Sequence, residues 1–424
     1  MVGVCRLWVR FASLGAVACV AIACGSTRRE GFVEESSPTS PGGGGAALAD
    51  AGGDSSFGAC ATSSHEAALV PAALLVALDK SGTMAQANKY RFAQQAIVQA
   101  IDQGAFDSLS LGILGFPSSR VQAPACLFGL IDQVDCGVSA LPHVPLALAG
   151  PKKSNEPGGV RNEIYKWLAN ASPNPGDGDG NPTYAALESA ISALQAWPAR
   201  GKRVALYITD GGASCASVTN RAGYTDGNGC NDWEHPSAIV DLLTRAHADA
   251  QAPVNTFVVG VPGADSHGES VNVPPYSVRL ALSAYAWAGS PETADPACTG
   301  KTFAKTNTDP QTACHFDMTR GNYSVQALVD AIAQIRGRLL GCEYELPPAP
   351  EGETLDRGRV NVEVGGVGAA GPLFKRGKPG DTCDDCWDYT GDGKIVLLGK
   401  ACEDVKSSPT AKVQIVVGCS TRVR

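Results

Sequence analysis

The chain has 424 residues, 44% hydrophobic and 18% charged, so most of it has the apolar content to build a core. Lys and Arg number 34 against 42 Asp and Glu, a net charge of −8, which argues against the basic face that a nucleic-acid binder needs. No apolar run reaches the ~18–20 residues of a spanning helix, which excludes a polytopic membrane protein, and fifteen cysteines point to an oxidising compartment.

Residues 1–23 read as an export signal. Arg6 and Arg10 form its basic start, and Leu14 to Ala23 its short apolar centre. The segment ends in Ala21-Ile22-Ala23-Cys24, which resembles a bacterial lipobox with Ala21 in place of the usual Leu. The resemblance implies cleavage before Cys24, lipid on that cysteine and anchorage in the cell envelope; Gly25 and Ser26, with no Asp following, lean to the outer membrane. Without Cys5, Cys19 and Cys24, twelve cysteines remain, an even number that suits a disulfide framework. Residues 24–59 carry SSPTSPGGGG and AGGDSS and read as a flexible tether.

From about Leu69 onward, buried strands alternate with amphipathic helices. Ala72 to Leu78 (AALLVAL) is an apolar run of the kind found in a strand covered on both faces. A helix is expected over Ala87 to Gln103, with Ala93, Ile97, Ala100 and Ile101 on one face. Leu109 to Phe116 is the next strand. Residues 117–160 read as a Pro/Gly-rich insertion with a short edge strand at Val144 to Leu148. Tyr184, Leu187, Ile191 and Leu194 mark a helix, Val204 to Thr209 a strand, and Ile239, Leu242, Leu243 and Ala246 another helix. Asn255 to Val261 is a further strand, and Val325, Leu328, Ile332, Ile335 and Leu339 a closing helix. This alternation predicts an α/β fold over residues 60–342: a doubly wound, mainly parallel sheet with helices on both faces. Residues 343–424, with short strands at Val360 to Val364, Ile395 to Leu398 and Val413 to Val417, read as a small β-rich module.

Two of the buried strands run into aspartates: Asp79-Lys80-Ser81-Gly82-Thr83 and Asp210-Gly211-Gly212. Ligands of open α/β sheets bind outside the carboxyl ends of the strands. There Asp79, Ser81 and Thr83 can turn three oxygens to one point, with Asp210 arriving from a neighbouring strand. Few carboxylates and several hydroxyls suit Mg²⁺, with Mn²⁺ or Ca²⁺ as alternatives. Both aspartates sit at strand ends taken as exposed, so losing either carboxylate is expected to spare the fold.

The stretch around Asp79 resembles the D-x-S-x-S metal motif of von Willebrand factor type A domains, with Thr83 as the last hydroxyl. Gly180-Asn181-Pro182-Thr183 lies before a helix where that family carries a coordinating Thr, and ITDG at Asp210 matches its last metal aspartate. The resemblance covers roughly residues 68–342. It implies a divalent metal held by Asp79, Ser81, Thr83, Asn181, Thr183 and Asp210, with one position open to an Asp or Glu of a protein partner. It also implies a Cys60–Cys342 bridge, because some type A domains join their ends by a disulfide and the ends of such domains often lie close. Sequence proximity alone suggests Cys126–Cys136, Cys215–Cys230 and Cys298–Cys314. Cys383, Cys386, Cys402 and Cys419 would then pair within the β module in an order left open.

Other motifs are weaker. Asp177, Asp179, Asn181 and Glu188 mimic a calcium loop, but Pro182 stands where that loop needs Gly. Asp388, Thr390, Asp392 and Gly393 read better as a hairpin turn. No G-x-S-x-G, Walker or H-E-x-x-H motif occurs. The expectation is a lipid-anchored adhesion protein that is not an enzyme. A metal-assisted hydrolase using Asp79 and a structural envelope protein with a silent site are the alternatives.

Overall fold

The computed structural model describes residues 57, 60–67, 71–103, 106–122, 133–173, 180–199, 201–215, 235–266, 276–304, 308–321, 323–339, 342–349, 354–365, 371–378, 381–391, 393–407 and 411–424. The leader, Cys24, most of the tether, Asp177, Asp179, Cys126 and Cys230 lie outside them.

In chain order the elements begin with β1 (Ser63–Glu66), β2 (Ala72–Asp79), α1 (Lys89–Ile101), β3 (Leu109–Phe116), β4 (Ser119–Gln122), β5 (Gln133–Gly137) and β6 (Val144–Leu148). There follow α2 (Val160–Asn170), α3 (Thr183–Gln195), β7 (Lys202–Thr209), α4 (Pro236–His247), β8 (Asn255–Gly260), α5 (Val278–Gly289), β9 (Phe316–Asp317) and α6 (Val325–Leu339). The last part holds β10 (Glu343–Tyr344), β11 (Val360–Gly365), β12 (Gly371–Lys375), β13 (Cys386–Tyr389), β14 (Ile395–Leu398), α7 (Gly399–Ser407) and β15 (Lys412–Val417).

The fold is mixed α/β. One six-stranded sheet runs β6-β3-β2-β7-β8-β9. Neighbours from β3 to β9 pair in parallel, whereas β6 is antiparallel to β3, so the sheet is mixed rather than wholly parallel. Every residue of β2 is buried, because alternate side chains enter two separate cores. Leu74, Val76 and Leu78 pack in one core with Ile97 of α1, Leu168 of α2 and Ile332 of α6. Ala73, Leu75 and Ala77 pack in the other with Leu187 of α3, Leu243 of α4 and Leu282 of α5. Helix α1 starts at Lys89 rather than Ala87. Ala87 and Asn88 take left-handed φ values of 50° and 59°, which end the preceding 3-10 turns before the α-helix begins.

A second, seven-stranded sheet has the order β1-β15-β11-β12-β13-β14-β10. Its core holds Val360, Val362, Trp387, Ile395, Leu397 and Ile415. Strand β1 pairs antiparallel with β15, Ser63 opposite Val417. The boundary at residue 60 is therefore corrected: the segment ahead of β2 adds a strand to the C-terminal sheet. The C-terminal part also carries a short helix, α7, within its β-rich module. Strands β13 and β14 form a hairpin closed by Thr390 N–H donating to Lys394 O at 2.8 Å. Asp388 is engaged there by Arg376 and Lys375, as in a structural ion pair.

The disulfides correct three expected pairings. Cys60 bonds to Cys419, not Cys342, because the β1–β15 register brings the residue ahead of β1 beside the residue after β15. Cys342 bonds instead to Cys402 of α7. Cys136, at the end of β5, bonds to Cys215, which replaces both Cys126–Cys136 and Cys215–Cys230. Cys298 pairs with Cys314, its neighbour in sequence, and Cys383 with Cys386. Long-range pairing follows from strand neighbours that proximity along the chain does not reveal.

Candidate metal centre

Strands β2 and β7 lie side by side in parallel, so their carboxyl ends open on one edge of the sheet. Asp79 ends β2, and Asp210 follows β7 directly. Both carboxylates are buried, at 0% and 3% exposure, which corrects the expectation of exposed strand ends. Ser81 is buried as well, while Thr83 is exposed and marks the solvent side of the cluster.

Asp79 is held on both oxygens. Its Oδ1 accepts from the Ser81 backbone N–H at 2.8 Å. Its Oδ2 accepts from Thr209 Oγ1 at 2.6 Å and from Asn181 Nδ2 at 2.8 Å. Asp210 Oδ1 accepts from Thr83 Oγ1 at 2.9 Å, and Thr83 Oγ1 lies 3.3 Å from Ser81 Oγ. Asp210 Oδ2 is paired with the ammonium of Lys89, itself 6% exposed. Burial and the nearby Asp210 push the Asp79 carboxyl up to about 7. Burial pushes Asp210 upward too, against the pull of Lys89 and Thr83. Two carboxylates are thus buried together, and the ammonium of Lys89 pairs with one of them.

Asp79, Ser81, Thr83 and Asp210 form a connected set of hard oxygen donors, the chemistry that suits a small divalent cation. The buried carboxylates, short of positive charge, fit such an ion. Asn181 and Thr183 stand behind this set. A carboxylate can only accept, so the Asn181 amide must turn its nitrogen to Asp79. Its oxygen accepts instead from Thr183 Oγ1 at 2.8 Å, and Thr183 also lies 2.9 Å from the Tyr207 hydroxyl. In this arrangement Asn181 braces Asp79 directly, and Thr183 holds the Asn181 amide.

The Asn181 arm is tied down from below. Its backbone N–H donates to Ser214 Oγ at 3.0 Å, and Ser214 N–H donates back to Asn181 O at 3.1 Å. Gly180 rests on the Cys136–Cys215 bridge: a Cβ there would lie 2.6 Å and 2.8 Å from the two sulfurs. Sequence reasoning missed this bridge and Lys89; a Lys just after the motif is too common a feature to stand out.

No family model and no curated protein matches the chain. Among solved structures it is similar to the pilus adhesin SpaC from Lactobacillus rhamnosus GG in its open conformation, at 14% identity and TM-score 0.40, over 85% of this chain and 40% of that one. It is also similar to the PilB minor pilin from Streptococcus sanguinis, at 13% identity and TM-score 0.35, over 64% of this chain and 62% of the pilin. A third is proximal thread matrix protein 1 from the mussel byssus with a zinc-occupied MIDAS motif, at 12% identity and TM-score 0.27, over 47% of this chain and 40% of that one. The chain thus spans less than half the length of the adhesin.

Proposed function

We propose that this is an exported binding protein whose oxygen cluster holds a divalent cation, best suited to Mg²⁺, and through it an Asp or Glu side chain of a protein partner. One observation carries the reading: Asp79, Ser81, Thr83 and Asp210 meet at the carboxyl edge of adjacent parallel strands. The ion, when bound, supplies a Lewis-acidic position for an incoming carboxylate. The chain does the rest. Asn181, Thr209 and the Ser81 N–H fix Asp79, while the exposed Thr83 stands where a partner enters. Binding rather than hydrolysis suits Asp79, which is fully buried with hydrogen bonds on both oxygens.

Calorimetric titration of the purified chain with Mg²⁺, Mn²⁺ and Ca²⁺ is expected to show one bound ion. Retention of an envelope protein on the immobilised chain is expected to be lost with chelator. Absence of binding by all three ions would sink the reading.

The disulfides among the described residues support an oxidising compartment outside the cytoplasm. We extend this to lipid anchorage at Cys24, with the outer membrane as the expected site. Cys24→Ser should move the protein from the membrane pellet to the soluble fraction. Continued pelleting would count against the anchor.

A further inference from the structure

Lys89 has a seat of its own making. Ala87 and Asn88 take left-handed backbone angles just ahead of it, a conformation that Asn tolerates but that strains Ala87. The Lys89 carbonyl is held by the Tyr323 hydroxyl at 2.6 Å. Gly263, at φ 113°, leaves the space the pair needs: a Cβ there would lie 2.7 Å from Asp210 O and 3.3 Å from Lys89 Nζ. A left-handed turn strained at Ala87, a latch and a glycine together bring a buried ammonium onto the carboxylate that also receives Thr83.

Resting on the metal reading above, we infer that Lys89 is the resident counter-cation of this centre and a competitor of the divalent ion, so that it sets how tightly the ion binds. The ammonium neutralises part of the two buried carboxylates when no ion is present. An incoming dication must share Asp210 with it. Either the ammonium stays as a like charge beside the ion, or it leaves its seat and gives up its ion pair with Asp210; each course weakens binding. The strained approach to α1 is then understandable as a device that keeps the ion-free centre intact while the protein is unloaded. The opposite role is that Lys89 orients Asp210 for ligation, and it predicts the opposite change in affinity.

The test is Mn²⁺ titration of the full exported chain, followed by calorimetry and by the electron paramagnetic resonance signal of free Mn²⁺. Lys89→Met is expected to bind at least tenfold more tightly than the parent, and Lys89→Arg to bind about as the parent does. Melting in chelator is expected to show Lys89→Met below the parent, with a larger upward shift on adding Mn²⁺. Should Lys89→Met fail to fold, Lys89→Gln, which still donates to Asp210, carries the same comparison. Equal or weaker binding by the neutral variant, with the parent binding Mn²⁺, overturns the inference and leaves the metal centre standing. No Mn²⁺ on either the parent or the variant removes the metal centre, and the competition with it.

Discussion

Asp210→Ala is expected to cost about 3–5 kcal/mol of stability as well as divalent-ion binding. The size of the loss comes from what remains behind. Lys89 is 6% exposed and its ammonium faces Asp210, so removing the carboxylate strands a buried charge. The Thr83 hydroxyl loses its acceptor in the same step. The double variant Lys89→Met with Asp210→Ala removes both charges and is expected to recover more than about 1 kcal/mol of that loss, a coupling typical of groups in direct contact. Urea unfolding of the four proteins of this cycle measures it. Additive losses would mean that Lys89 and Asp210 do not depend on each other, and Mn²⁺ binding by Asp210→Ala like that of the parent would remove Asp210 from the centre.

The burial behind this prediction could not be read from the chain. Asp79 and Asp210 are recognisable as strand-end carboxylates because AALLVAL and VALYIT are apolar runs of strand length, and because Asp79, Ser81 and Thr83 are close in sequence. What covers them is largely remote: Asn181, Lys89 and Gly263 arrive from three further segments. The strands of the six-stranded sheet were legible for a related reason. Strands β2, β3, β7 and β8 are buried on both faces, so the signal of each is a local run that needs no partner to be seen, whereas β9, two half-buried residues long, has no such run.

Elements whose character depends on their neighbours were not legible. Strand β1 is Ser-Ser-His-Glu, with no apolar alternation; it is a strand because β15 offers it an edge. Helix α5 reads VRLALSAYAWAG and is buried almost all round, so it shows no apolar stripe to separate from a polar face. The disulfides failed most plainly. Proximity named Cys126 for Cys136, yet β5 places Cys136 over the segment after Asp210, where Cys215 lies. That bridge and the Asn181 arm above it are one support for the candidate centre, assembled from residues 79 apart in sequence.

Acidification should expose a second buried group, outside the candidate centre. His315 is 6% exposed, and neither ring nitrogen has a hydrogen-bond partner among the described residues. Gly260 makes room for the ring, since a Cβ there would lie 3.0 Å from Nε2. Burial holds the imidazole down to about 4, from the ordinary 6.5, with Arg279 pushing the same way and Asp317 against it. The sign follows from proton binding. Between pH 6.5 and 4 the unfolded chain takes up a proton that the folded ring refuses, so stability falls as the pH drops through that window. A displacement of this size corresponds to about 3 kcal/mol lost by pH 4. Asp317, held below the usual carboxylate range by Thr319 and Arg279 despite its burial, adds loss at lower pH in parent and variant alike. Comparison with His315→Leu therefore isolates the histidine. The variant keeps an apolar side chain of similar size in the pocket and is expected to be as stable as the parent at pH 7 or more so, because no ring nitrogen is left unpartnered. Urea unfolding at half-unit steps from pH 7.5 to 4 should give a shallower decline for the variant, by close to one proton. Parallel declines would show that His315 already accepts its proton in the folded protein, and the buried neutral ring would then be wrong.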